Sequence, residues 1–467
     1  MQLSHTRRVA SATFDDPNLV SAAGLVPLMR LAQAAGLREL ADERMSVPTD
    51  KGAHPGLKLS SLVAGMAAGA DSIDDMALLR HGGMGKVFTG VYAPSTLGSF
   101  LRAFTFGHVR QADAVASRFL LNLADHTNLL GEAHDTGAVM VDIDDTIVEV
   151  HGHRKQGAAF GYSGVRGLNA LLATVSTDQI APVIAAQRLR KGSTGSSRGA
   201  ARLATDALAL VRRSRLAGRP VLVRADSAFY SHTLVAAAIK AGAEVSITVR
   251  MDPAVKRAIA SIPEDGWTPI KYTDAIYDQT SATWVSRAEV AEIAFTAFSS
   301  KKKTAQVPGR LIVRRIPDLN PKQADGQGSL FDLWRFHAFF TTTPADQRDT
   351  VHSDQVHRRH AIIENVHADL KASALAHLPS GRFTANAAWL VCAVMAFNLT
   401  RAAATLTQSA ALARATTPTI RRKLITIPAR IATSARRLRL HLPVGWPWQQ
   451  AWATLAAAVG LPAQSAT

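Results

Sequence analysis

Between Ala138 and Arg250 the chain is written in β-branched runs. AVMVDI, TIVEV, LNALLATVS and IAPVIAAQRL read as consecutive strands joined by short polar turns. The loop RKGSTGSSRG then leads into a helix from about Ala200 to Leu216, the strand VLVRAD, a helix from about His232 to Ala241 and the strand EVSITVR. Strands first in series and then alternating with helices require a layered α/β architecture, and this order constrains the fold more than any other feature of the chain.

The flanking regions differ in kind. Residues Leu19 to Arg44, Leu57 to Leu79 and Ser95 to Leu123 carry apolar side chains at three- and four-residue spacing, so the first part is expected to be helical. In APSTLGSFLRAF, Ser95 and Thr96 are candidate N-caps, and the helix suits either reading DNA or packing into the core. From Met251 to Thr343, segments such as TWVSRAEVAEIAF, RLIVRRI and LWRFHAFFTT alternate like strands and suggest a β-rich insertion. The α/β grammar resumes around HRRHAIIENVHADLK and the apolar helix FTANAAWLVCAVMAFNLTRAA. The expected organisation is a helical N-terminal DNA-binding domain over 1–130, a core in two parts over 131–250 and 346–405, the insertion over 251–345, and a basic helical C-terminal region over 406–467.

The chain of 467 residues has 53 Lys and Arg against 36 Asp and Glu, a net charge of +17, which calls for a polyanionic partner such as nucleic acid. After Asp369 no acid occurs, while Lys371, Arg382, Arg401, Arg414, Arg421, Arg422, Lys423, Arg430, Arg436, Arg437 and Arg439 follow. A single cysteine, Cys392, rules out an intramolecular disulfide and fits a reducing compartment. The start lacks the apolar segment of a secretory signal, and the longest apolar stretch, Ala387 to Phe397, is too short to span a bilayer, so a cytoplasmic, nucleoid-associated protein is expected.

Three acids stand in telling contexts. Alternation along VMVDIDDTIV places Asp142 and Asp144 on one strand face and Asp145 on the other. Asp226 follows VLVRA, where a parallel strand should end and where open α/β sheets bind ligands. Capping the next helix is the plainer use of Asp226, although Ser227 and Ser231 are also available for it. On a helix, Glu364 shares a face with His357, His360, His367 and Lys371. Carboxylates of this kind suit Mg2+ or Mn2+, whose remaining positions water and phosphate oxygens fill. His360, Glu364 and His367 are also spaced to hold zinc, and a salt-bridged solvated face is the plainer alternative.

The spaced Asp, Asp and Glu, the β-rich stretch between the last two and the EN…K element resemble the DDE transposases of bacterial insertion sequences, most closely the insertion-sequence 1380 family. The likeness runs from about Ser95 to Ala404 and implies an RNase H-like catalytic core, an order the strands and helices already match by analogy. It implies catalytic, metal-holding roles for Asp144, before Thr146, for Asp226 in RADSAFY and for Glu364, with Asp142 as a substitute first ligand. Lys371 would contact DNA, as would His357 and His360, which stand where related enzymes carry Tyr and Arg. Arg358 and Arg359 are placed to compensate for the missing Arg, and Arg421, Arg422 and Lys423 form a basic cluster for phosphates. The implied activity is cut-and-paste transposition: binding to terminal inverted repeats, metal-dependent strand cleavage and transfer to target DNA, by a homodimer on paired ends.

Two rivals compete with that reading. Asp142, Asp144 and Thr146 form DxDxT, which resembles the nucleophile loop of haloacid-dehalogenase-type phosphatases, with Asp142 attacking phosphorus and Asp144 as general acid. The other rival is a DNA-binding protein that keeps the scaffold and has lost catalysis.

Overall fold

A computed structural model describes residues 11–47, 50–131, 135–152, 154–278, 283–317, 334–434 and 437–462. Strand β1 (Leu19–Val20) is followed by helices α1 (Leu25–Ala34), α2 (Leu37–Arg44), α3 (Pro55–Ala68), α4 (Met84–Val87), α5 (Pro94–Arg102) and α6 (Phe106–His126). The apolar spacing thus marks helices, but each expected span is broken. Gly36, in the left-handed region at φ 73°, separates α1 from α2, and Gly69 at φ 114° ends α3. Thr105 starts α6 with a capping box to His108. Helix α5 is capped by neither Ser95 nor Thr96. It begins at Pro94, whose missing N–H is one the first turn would leave unpaired anyway, and it buries Leu97, Phe100 and Leu101.

The core sheet follows: β2 (Val139–Glu149), β3 (Ala159–Phe160), β4 (Arg166–Ser176), β5 (Val183–Lys191), then α7 (Ala200–Arg213), β6 (Val221–Ala225), α8 (His232–Lys240) and β7 (Glu244–Thr248). AVMVDI and TIVEV, read as two strands, form the single strand β2, because the two acids between them, Asp144 and Asp145, continue the pleat. Strand β2 pairs antiparallel with β4 and parallel with β6, and β6 pairs parallel with β7.

After α9 (Pro253–Ala260), strands β8 (Thr268–Asp278), β9 (Thr283–Ala297), β10 (Val307–Pro317) and β11 (Trp334–Thr341) form the β-rich segment. These strands do not make a separate sheet. Strand β11 hydrogen-bonds to β7, so a ten-stranded sheet runs β3-β4-β2-β6-β7-β11-β10-β9-β8, with β5 beside β4.

Helices α10 (Thr350–Arg358) and α11 (Ile362–Lys371) lead to α12 (Phe383–Thr405). Helix α12 is apolar all round and buried along nearly its whole length, packed against β5, α3 and α6. It is the one helix among the described residues long and apolar enough to cross a bilayer, and it is enclosed by the fold. Through it the N-terminal helices and the sheet share one continuous hydrophobic core.

The C-terminal region departs from the helical expectation. Short helices α13 (Ala410–Ala413) and α14 (Thr417–Ile420) precede a hairpin, β12 (Ala429–Ser434) and β13 (Arg437–His441), and then α15 (Gln449–Ala458). Strand β12 pairs with β1, tying both ends of the chain into a three-stranded sheet. ARIATS alternates: Ala429 and Ile431 are buried while Arg430 is exposed, a period-two pattern inside a basic stretch. Arg436 lies outside the described residues.

Candidate active site

The site is built on the ends of two neighbouring parallel strands. Ile143 of β2 is in register with Ala225 of β6, so Asp144 and Asp226 follow side by side. Asp226 is exposed and accepts from the Ala228 amide at 2.9 Å, while Ser231 caps α8 through Leu234. Burial by its neighbours and the nearby Asp144 charge raise the Asp226 carboxyl above its usual value, against the Ala228 amide and His360. The Asp144 charge thus opposes ionisation of Asp226, an arrangement a cation between them would relieve.

No register shift interrupts β2 against either partner, so alternation holds as expected. Asp142 and Asp144 face the α10–α11 segment and Asp145 faces away. Asp142 is wholly buried. Arg224 Nε and Nη2 donate to its two oxygens at 2.7 and 2.8 Å, and His360 Nδ1 is 2.9 Å from Oδ1. Burial works to raise the Asp142 carboxyl, but the Arg224 charge and the His360 bond prevail and hold it below its usual value. Both oxygens are thus committed to an internal ion pair, which leaves Asp142 neither a free metal ligand nor an accessible phosphatase nucleophile. Asp145, on the other face, is bound by Arg190, by Asn169 at 2.8 Å and by Ser196 Oγ at 3.2 Å. Arg190 also donates to the carbonyls of Ser196 and Arg198 at 2.8 and 2.6 Å, pinning the RKGSTGSSRG loop behind the site.

The helix expected to present one face of bases and an acid is interrupted by a 3-10 turn at Arg359–Ala361. The turn redirects its side chains. His357 points into the fold: its ring stacks on Phe339 at 4.0 Å, and its two nitrogens lie 2.8 Å from Ser246 Oγ and 3.0 Å from Thr248 Oγ1. Arg358 is occupied by Asp354 at 2.8 Å and lies over the Tyr272 ring. Both side chains thus have partners within the fold rather than the free base-lined face that the helical spacing suggests. Arg359 remains exposed, with Asp178 at 2.6 Å.

Helix α11 packs on β2, where His367 Nε2 comes within 3.5 Å of Asp144 Oδ2. His367 is 6 % exposed and neither ring nitrogen has a hydrogen-bond partner among the described residues. Glu364, three residues earlier, is exposed. The described residues include no group of three His, Cys, Asp or Glu placed to hold one metal. Asp144 and Asp226 come together, then, and Glu364 stands apart from them on the helix that touches Asp144. The zinc set is dispersed, because His360 and His367 turn to different aspartates.

Lys371, at the end of α11, is exposed and lines a cleft of about 410 Å³ with Thr146, Glu149, Tyr162 and Ser163. Partial enclosure lowers its ammonium below the usual value. Tyr162, which the strand-and-helix reading passed over, donates to the Asp145 carbonyl at 3.4 Å. Burial and the charges of Asp145, Asp144 and Asp226 push its phenol to about 12, so it stays a neutral donor. In the basic cluster, Arg421 is half-buried at the end of α3, beside Gly69, while Arg422 is exposed and Lys423 lies over Trp448 at 5.2 Å.

His357 gives a pH prediction. Burial drives its imidazole well below the ordinary 6.5, with the charges of His360 and Arg224 adding to the effect. The unfolded chain takes up that proton first, so the contribution to stability is complete above about pH 6.5 and lost as pH falls below it. Melting curves from pH 7 to 5 should show a steeper loss for the intact chain than for His357→Gln. Equal slopes would show that His357 is not held neutral.

The profile of the family described as transposase DDE domain group 1 matches residues 2–461. The chain belongs to this transposase family, which the strand-end aspartates and the acid on a flanking helix already indicated. No curated protein matches the chain.

Proposed function

We propose that the chain is an active DNA transposase, with Asp144, Asp226 and Glu364 as its three catalytic carboxylates. The observation that carries this is the pair Asp144 and Asp226 on adjacent strand ends, with the Asp144 charge raising the Asp226 carboxyl, beside the helix that carries Glu364 and Lys371. Membership of the DDE family supports the same reading.

The donor set fits a hard divalent cation, since the oxygens are carboxylate and Asp226 is open to solvent and substrate. Mg2+, or Mn2+ in its place, supplies activation of the attacking oxygen and stabilisation of the leaving oxygen when bound. Asp144 and Asp226 would hold it, with Glu364 of α11 as the third carboxylate. Lys371 and His360 position the phosphate. His360 is suited to this because buried Asp142 fixes its Nδ1 and leaves Nε2 for another partner. Arg359, Arg422 and Lys423 contribute phosphate contacts further along the DNA, with Arg421 bracing them from within.

The substrate is the terminal inverted repeats of the chain's own element. The reaction is hydrolytic release of the element followed by attack of its 3′-hydroxyl on target DNA, carried out by a homodimer joining two ends. Glu364→Gln should abolish metal-dependent strand cleavage, by roughly a thousandfold or more for loss of a group acting at the reacting phosphate. Because Glu364 is exposed, the variant should retain its melting temperature and its affinity for terminal DNA. Undiminished cleavage would remove Glu364 from the site.

A further inference from the structure

Beside the acid pair, the end of β3 and the turn that follows it hold two large aromatic side chains in solvent. Phe160 is 67 % exposed and Tyr162 71 % exposed. The turn itself is anchored. Phe160 is in register with Arg166, Gly164 donates to the Gly161 carbonyl at 3.1 Å, and Gly192 donates to the Gly157 carbonyl at 3.0 Å. A Cβ on Gly161 would meet the Gly192 carbonyl oxygen at 2.5 Å, so the turn closes directly on the neighbouring loop. The Tyr162 hydroxyl is held toward the site by the Asp145 carbonyl, while most of the residue stays uncovered. Single exposed apolar residues are ordinary, but two within three positions, on a braced turn against the candidate active site, need a reason.

We propose that Tyr162, together with Phe160, is a stacking subsite for an unpaired nucleobase next to the phosphate being cut, with Lys371 on the adjoining phosphate. The inference rests on the transposase reading of the same site and extends it to how the DNA end is gripped. Three observations select a nucleotide as the occupant. Tyr162 and Lys371 line one cleft, which offers an aromatic face and a cation together, as a base with its own phosphate requires. The phenol is fixed on the Asp145 carbonyl, next in the chain to Asp144, and feels the charges of Asp144 and Asp226, so a stacked base would place its phosphate near the acid pair. The patch is also far too small for a protein partner, which needs about 20 to 30 residues a side. Stacking on an aromatic ring tolerates any base, so the subsite recognises an unpaired nucleotide without reading sequence.

The test uses the full chain and a DNA duplex of the element's end. One form is fully paired and the other is forked, with 2-aminopurine in the unpaired arm, at one fixed salt concentration. The intact chain should bind the forked form more tightly and change the 2-aminopurine fluorescence. The double variant Phe160→Ala, Tyr162→Ala should lose about five- to a hundredfold in affinity for the forked form, the range expected for one base stack. Its affinity for the paired form and its melting temperature should not change, and Tyr162→Phe should keep most of the preference. Equal binding of the two forms by the intact chain, or a preference that survives in the double variant, overturns the subsite. Metal-dependent cleavage of the paired duplex, scored separately, reports on the transposase reading. Cleavage without a fork preference discards the subsite alone. A fork preference without cleavage keeps the subsite and discards the catalytic reading. No DNA binding discards both.

Discussion

Arg224→Met should cost about 3 to 5 kcal/mol of stability, the range for breaking one partner out of a buried ion pair, and so consume much of what holds a domain folded. Arg224 is 1 % exposed in the middle of β6. Its guanidinium spans both oxygens of fully buried Asp142 and also donates to the Val356 carbonyl, which ties β2, β6 and α10 together beneath the site. Removal strands the Asp142 charge in a place water does not reach. Replacing both partners, as in Asp142→Leu with Arg224→Met, should recover most of that loss, because the desolvation of both charges disappears with their attraction. His360 would lose its orienting carboxylate in the double variant, so recovered stability should come without recovered activity. Denaturant unfolding of the two single variants and the double variant checks this. A single variant as stable as the intact chain would mean that the pair does not brace the sheet.

Asp226→Asn should behave in the opposite sense. With metal absent, partial enclosure and the Asp144 charge both disfavour the Asp226 carboxylate, and neutralising it should leave the melting temperature unchanged or raise it. Adding Mg2+ or Mn2+ should raise the melting temperature of the intact chain, since a ligand bound only by the folded state stabilises it by mass action. EDTA should reverse the rise. The asparagine variant should show little or no metal response and should lose strand cleavage. A metal-dependent rise of equal size in both proteins would place the ion elsewhere.

The strand-and-helix order of the core was legible because each segment carries its own period, and both Asp226 and the shared face of Asp142 and Asp144 follow from local grammar. What lay beyond the sequence depended on partners far apart along it. Nothing local shows that Asp142 belongs to Arg224, 82 positions away, although an arginine inside the apolar run VLVRAD signals a buried partner. His357 fits the helical spacing of the Glu364 face, yet the 3-10 turn at Arg359–Ala361 rotates it onto Phe339. The β-rich segment was recognisable as strands, but its continuation of the core sheet hangs on the pairing of β11 with β7. In the C-terminal region the abundance of arginine hid the alternation that makes β12, and the positive balance was read as a helical tail. Tyr162 was missed because a single aromatic in a glycine-rich turn carries no period at all.

The most direct test of the three-carboxylate site is cleavage of an end-labelled duplex containing the flanks of the encoding gene, with Mg2+ or Mn2+, by the intact chain and by Asp226→Asn. The intact chain should nick at one discrete position that marks the element's boundary, and the variant should bind the same duplex without cutting it. Cleavage retained by Asp226→Asn would contradict the assignment of the site. Binding by the intact chain with no metal-dependent cut would contradict catalysis itself, leaving a transposase scaffold that holds DNA without acting on it.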